Sequence, residues 1–201
     1  MADRRYPNPS LSRRRTRGLW QARTVRPFPT ILALALGLLS LAAAPENDIE
    51  RLRGRGLLLP VQGVDAARLR ESFKDKRSGR RSHQAIDIMA PRRTPVLATD
   101  DGRVEKLLRS RNGGITVYQF DPEGEYCFMY AHLDAYAKGL REGQELQRGD
   151  VIGYVGSTGN ARKSAPHLHF AVHRLDESKR WWKGKAVDPF LLWKDDAVQK
   201  P

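Results

Sequence analysis

The chain has five histidines in 201 residues, and two of them, His167 and His169, are separated by a single leucine in the stretch A-P-H-L-H-F. Leu168, Phe170 and Val172 alternate with them, which is the period of a β-strand buried on one side. Residues i and i+2 of a strand face the same way, about 6.5–7 Å apart along the chain. Two imidazoles can therefore enter one cleft, one to bind a metal and the other to touch whatever the metal holds. The alternative is a pair of core histidines satisfied by backbone carbonyls. His83 and Asp87 stand at i and i+4 in an H-x-x-x-D sequence, on one face if the chain there is extended. With His169 they would offer zinc two imidazoles and one carboxylate, leaving a fourth position open as in catalytic zinc sites. A structural site needs a fourth protein ligand, and the lone cysteine, Cys127, cannot form a cysteine set. His132, in Y-A-H-L, shares strand parity with Phe128 and Tyr130. It is either a core residue or a group that donates to an oxyanion or positions a zinc-associated water. His173 keeps parity with His167 and His169 and so belongs lower in the same groove, with nothing further to give it a role.

The elements that must carry these residues read as short strands. Residues 86–89, 95–98, 102–110, 115–120, 126–132, 151–155 and 167–174 look extended, and turn signals such as Asp101-Gly102, Asn112-Gly113-Gly114 and Asp121-Pro122-Glu123-Gly124 separate them. The spacing predicts a mainly β fold, an antiparallel β-sandwich or open barrel with few short helices and long loops. Residues 57–61 read as its first strand, and 66–70 as a short helix. The expected organisation is a leader over 1–44, a charged linker over 45–56, the folded domain over 57–195 and a tail over 196–201.

Net charge is +13, but residues 1–44 hold eight arginines against one acid, Asp3, so they carry +7 of it and the rest of the chain only +6. That leader is followed by an apolar run over 31–41 and by Ala42-Ala43-Ala44. This order describes a secretory signal peptide, or an uncleaved anchor tethering the chain to the inner membrane. The expected location is the periplasm or the medium. Outside the leader, no basic stretch is interleaved with aromatic stacking positions, which argues against nucleic acid as a partner. Gly149-Asp150-Val151-Ile152-Gly153 lacks the hairpin-tip lysine of a biotinyl or lipoyl carrier. The glycines over 156–164 lack P-loop spacing. Cys127 lies within an apolar strand and reads as a buried thiol.

H-x-x-x-D, then Y-A-H-L, then G-D-V-I-G-Y-V-G-S-T-G, then P-H-L-H-F, in that order, resemble the lysostaphin-type or LytM-like zinc metallopeptidases, which cut peptide bonds in bacterial peptidoglycan. The resemblance runs from about residue 57 to 190. It implies one zinc ion per chain held by His83, Asp87 and His169, His167 as general base, His132 as support for the tetrahedral intermediate, and a peptidoglycan peptide as substrate. The alternative within the same resemblance is a non-catalytic module that binds the wall or activates a wall amidase. Arg93 stands where the family usually has glycine. The basic run from Arg68 to Arg81 enters the site directly before His83, which makes Arg80 and Arg81 candidates for holding substrate carboxylates through bidentate hydrogen bonds.

Overall fold

In a computed structural model the described residues are 47–77 and 82–198, with the side chains of 195–198 not described. Ten strands follow in chain order: β1 (Ile86–Met89), β2 (Pro95–Leu97), β3 (Gly102–Ser110), β4 (Gly114–Phe120), β5 (Tyr126–Leu133), β6 (Ala135–Tyr136), β7 (Glu145–Leu146), β8 (Val151–Tyr154), β9 (His167–Leu175) and β10 (Gly184–Val187). The larger sheet runs β1-β9-β5-β4-β3-β7, with β10 also on β9; β2-β8-β6 form a smaller sheet. Every pairing is antiparallel. The architecture is the mainly β, antiparallel one expected, with few short helices.

Alternation along the strands divides the large sheet into two faces. Tyr126, Phe128 and Tyr130 of β5 and Leu168, Phe170 and Val172 of β9 are buried in one core cluster with Val96, Ile152 and Val155 of the smaller sheet region. The buried Tyr130 hydroxyl is satisfied twice, donating to Gln119 Oε1 (2.6 Å) and accepting from the Thr99 N–H (3.0 Å). The opposite face of β9 carries His167, His169, Ala171 and His173.

Three local readings differ from the structure. Residues 57–61 form no strand: Val61 makes only an isolated bridge to Val96. Pro60 lacks an N–H and can only accept, which it does from Leu97 (3.1 Å). The stretch read as a linker contains helix α1 (Asp48–Gly54), capped by the Asn47 side chain on the Ile49 N–H, with Leu52 fully buried. After Val187 comes helix α2 (Phe190–Val198), where the Asp188 carboxylate accepts from the Phe190 N–H (3.0 Å) and Trp193 donates to the Leu57 carbonyl (3.0 Å). The two helices meet where Arg53 Nε donates to the Leu191 carbonyl (2.8 Å). The short helix at 66–70 is a single 3-10 turn, Ala66–Arg68.

Among the described residues no helix is long and apolar enough to cross a membrane. The basic leader and apolar run over 1–44 lie outside them, as do residues 199–201; the first three residues read as the tail, 196–198, instead end α2.

Candidate metal centre

Antiparallel register brings the first two ligand candidates together, because Asp87 of β1 lies directly opposite His169 of β9. His83 precedes β1 in a loop pinned by His83 N–H to Asp75 carbonyl (2.9 Å) and Gln84 N–H to Phe73 carbonyl (2.9 Å). Gln84 takes φ 55°, a left-handed turn that carries His83 back over the strand. His83 Nε2, Asp87 Oδ1 and His169 Nδ1 converge: 3.0 Å from His83 to Asp87, 3.0 Å from His169 to Asp87 and 2.9 Å between the two nitrogens. The edge of a tetrahedral zinc site with N and O ligands is about 3.3 Å. The donor types and their near-ligating spacing therefore fit a zinc ion.

Protonation supports the same fit. Burial works against the Asp87 charge, but hydrogen bonds from His169 and His83 outweigh it and hold the carboxyl well below the usual carboxylate range. Burial pushes the His169 pKa down, only partly offset by Asp87. A cation there would take the place of the protons that His169 and His83 share with Asp87, using the same ionised carboxylate with the two imidazole nitrogens bare. The outer oxygen of Asp87, Oδ2, accepts from Arg77 Nη2 (3.0 Å), which fixes the carboxylate with Oδ1 toward the histidines.

Three imidazoles have their tautomers set by backbone carbonyls. His83 Nδ1 donates to Ser72 (3.1 Å), His167 Nδ1 to Ala165 (2.9 Å) and His132 Nδ1 to Thr158 (2.9 Å). In the neutral ring each leaves Nε2 as a bare acceptor. His167 Nε2 is 3.8 Å from Asp87 Oδ1, on the same side of the sheet as the ligand set.

His132 reaches the site by a route that strand parity does not show. Between β4 and β5, Val117 pairs with Tyr130 and Ile115 with Leu133, so β5 carries one extra residue. Tyr130 and Leu133 both enter the core, and the bulge with His132 at φ 63° turns its ring the other way. Its centroid lies 5.0 Å from that of His167 and 5.6 Å from that of His169. A left-handed residue other than glycine costs about 1–2 kcal/mol, here held by His132 N–H to Gly113 carbonyl (2.8 Å). Burial first, then His169 and His167, push the His132 pKa down to about 4. Arg93 likewise takes φ 71° where the resemblance expects glycine, in a turn anchored by its N–H to the Val155 carbonyl (2.7 Å).

The structure thus brings His83, Asp87, His169, His167 and His132 into one cluster. His173 stands on the same face, opposite Cys127 and Ala186, and is not part of that cluster. Arg80 and Arg81 lie outside the described residues. Arg77 and the carbonyls of Ser72, Thr158 and Ala165 complete the site without a sequence signature: every residue type carries a carbonyl, and Arg77 is one of several arginines in a basic run.

The family profile described as Peptidase family M23 matches residues 81–189. The L-Ala–D-Glu endopeptidase of Bacillus subtilis is 35% identical over 138 residues, covering 65% of this chain and 42% of the relative. The peptidoglycan DD-endopeptidase ShyC of Vibrio cholerae is 32% identical over 152 residues, covering 68% of this chain and 34% of the relative. The chain thus spans less than half the length of either. Among solved structures, the catalytic domain of lysostaphin from Staphylococcus simulans superposes with a TM-score of 0.51 at 25% identity, covering 74% of this chain and 99% of that one.

Proposed function

From the premise that this chain belongs to peptidase family M23, we propose that it is a zinc-dependent endopeptidase acting on cross-links or stem peptides of bacterial peptidoglycan. The observation that carries the reading is the convergence of His83 Nε2, Asp87 Oδ1 and His169 Nδ1, with His167 Nε2 aimed at the same carboxylate oxygen. Zinc in that set would lower the pKa of a water to about 7 and polarise the scissile carbonyl. His167 is the proton acceptor: Nδ1 is committed to the Ala165 carbonyl, and the free Nε2 faces the centre, 3.8 Å from Asp87 Oδ1. His132 has its Nδ1 committed to Thr158 and its pKa pushed down to about 4, so its Nε2 is bare in the resting site, and it supports the tetrahedral intermediate only once Nε2 has taken a proton or the ring has turned its N–H from Thr158 toward the centre. The relatives' names, L-Ala–D-Glu endopeptidase and peptidoglycan DD-endopeptidase, support a wall peptide as substrate. A wall peptide is met outside the cytoplasm, which accords with residues 1–44 acting as a signal peptide or a tether.

The test is digestion of purified peptidoglycan by the full chain, with released fragments identified by mass spectrometry and zinc measured by atomic absorption. The expected result is new peptide termini and about one zinc per chain, both lost in Asp87→Ala. Termini released equally by Asp87→Ala, or full zinc in that variant, would overturn the reading.

A further inference from the structure

A cavity of about 460 Å³ opens beside the ligand cluster, bordered by Val64, Arg68, Met89, Thr94 and Pro166. Its position relative to the chemistry is fixed by register, since Met89 lies opposite His167 across the β1–β9 pair and Pro166 immediately precedes that histidine. We propose that this cavity is the subsite for an amino-acid unit flanking the scissile bond whose aliphatic stem ends in a carboxylate. Met89 packs the stem and the Arg68 guanidinium receives the carboxylate.

The inference rests on the peptidase reading and adds the chemistry of the substrate. The volume falls within the range of small-ligand sites. Met89 is 55% exposed, an apolar side chain left in water at the wall of the cavity, whereas its strand neighbour Ile88 is buried. Arg68 also stands exposed, with no side-chain hydrogen bond or ion pair among the described residues. Arg77 on Asp87, Arg92 on Asp134 and Arg55 on Asp121 each have theirs. The backbone under Arg68 is held in place: the 3-10 turn is capped by the Asp65 carboxylate on the Ala67 N–H (3.0 Å), and Val64, Ala66 and Leu69 pack on the core. A guanidinium on a fixed base, lining the same cavity as Met89 and Pro166, suits a carboxylate at the end of a short methylene chain. An amide in its place would lose the charge and one of two acceptor oxygens.

The test uses the zinc-loaded full chain and two synthetic stem peptides of identical backbone, one bearing a side-chain carboxylate and the other its carboxamide. Wild type is expected to prefer the acid by about tenfold in kcat/KM, a typical effect of a charge-assisted contact of about 1.4 kcal/mol. Arg68→Gln is expected to bring that preference below about twofold, and Met89→Ser to weaken binding of both peptides alike. No acid preference in wild type, or an undiminished preference in Arg68→Gln, would overturn the assignment. If wild type cleaves neither peptide, the peptidase reading fails for these substrates. Calorimetric binding of the same pair then decides the subsite alone: acid-selective binding lost in Arg68→Gln supports it, and equal binding overturns it.

Discussion

Replacing Thr158 with valine removes one oxygen and tests how the bulge at His132 is held. The Thr158 hydroxyl accepts from the Ile115 N–H (3.0 Å) and donates to the Leu133 carbonyl (2.7 Å), reaching both strands where their register shifts. Its own carbonyl receives His132 Nδ1 (2.9 Å). Valine keeps the shape and removes both hydroxyl bonds, leaving a donor at Ile115 and an acceptor at Leu133, each in a buried residue. Two net hydrogen bonds at about 1 kcal/mol each, plus part of the 1–3 kcal/mol penalty for unpaired buried groups, give a loss of about 2–3 kcal/mol. With a urea slope of about 2 kcal/mol/M, the midpoint should fall by about 1 M at constant slope. The assay is urea unfolding followed by tryptophan fluorescence, with kcat measured at concentrations where the variant is folded. Because the anchor of His132 shifts, kcat is expected to fall about tenfold with zinc content unchanged. Thr158→Ser, which keeps the hydroxyl, should recover most of the stability. A variant within about 0.5 kcal/mol of wild type, or Thr158→Ser as unstable as Thr158→Val, would refute the account.

Two further outcomes follow from the site and its surroundings. His167→Ala should retain its zinc and lose about 10²–10⁴-fold in turnover, whereas His169→Ala should lose the metal; zinc loss in the first would exchange their roles. Burial, reinforced at Tyr126 by its hydrogen bond to Asp48, raises the phenols of Tyr118 and Tyr126 to about 12, against about 10 in an unfolded chain. Raised folded-state values mean that this contribution to stability is complete below pH 10 and is lost as pH rises from about 10 to 12. The 295 nm titration of wild type minus that of Tyr118→Phe, or of Tyr126→Phe, should show the missing phenol ionising only near pH 12, and a difference that titrates near 10 in the folded chain would contradict its burial.

Much of the β scaffold was legible because strands of period two were separated by glycine- and asparagine-rich turns. Residues 102–110 match β3 from end to end, and Asp87 and His169 were correctly placed on extended segments. Strands β6 and β7 were not legible, since two residues carry no periodicity, and neither was β10, where Gly184-Lys185-Ala186 holds no β-branched or aromatic residue. Helix α2 had a readable signal in Asp188-Pro189, a cap followed by the residue suited to the first helical turn. His132 shows where parity fails: counting by twos puts it with Tyr130 in the core, and only the extra residue in β5 returns it to the site. That bulge depends on Gly113 and Thr158, which are distant in sequence or unremarkable in type. Arg77 was hidden for another reason, because in a run of exposed cations nothing local says which one meets Asp87.

The three carbonyl anchors of the histidines have a consequence for how this site is discovered and how it drifts. Ser72, Thr158 and Ala165 each hold an imidazole through an atom common to all amino acids. An alanine scan passes over Ser72 and Ala165 as near-silent, although removing the peptide oxygen there, as a thioamide replacement does, would free the ring they hold. Selection at such positions acts on loop length and path rather than on letters. Substitutions can accumulate there with the proton arrangement intact, while a single deleted residue between Thr158 and Ala165 would undo it.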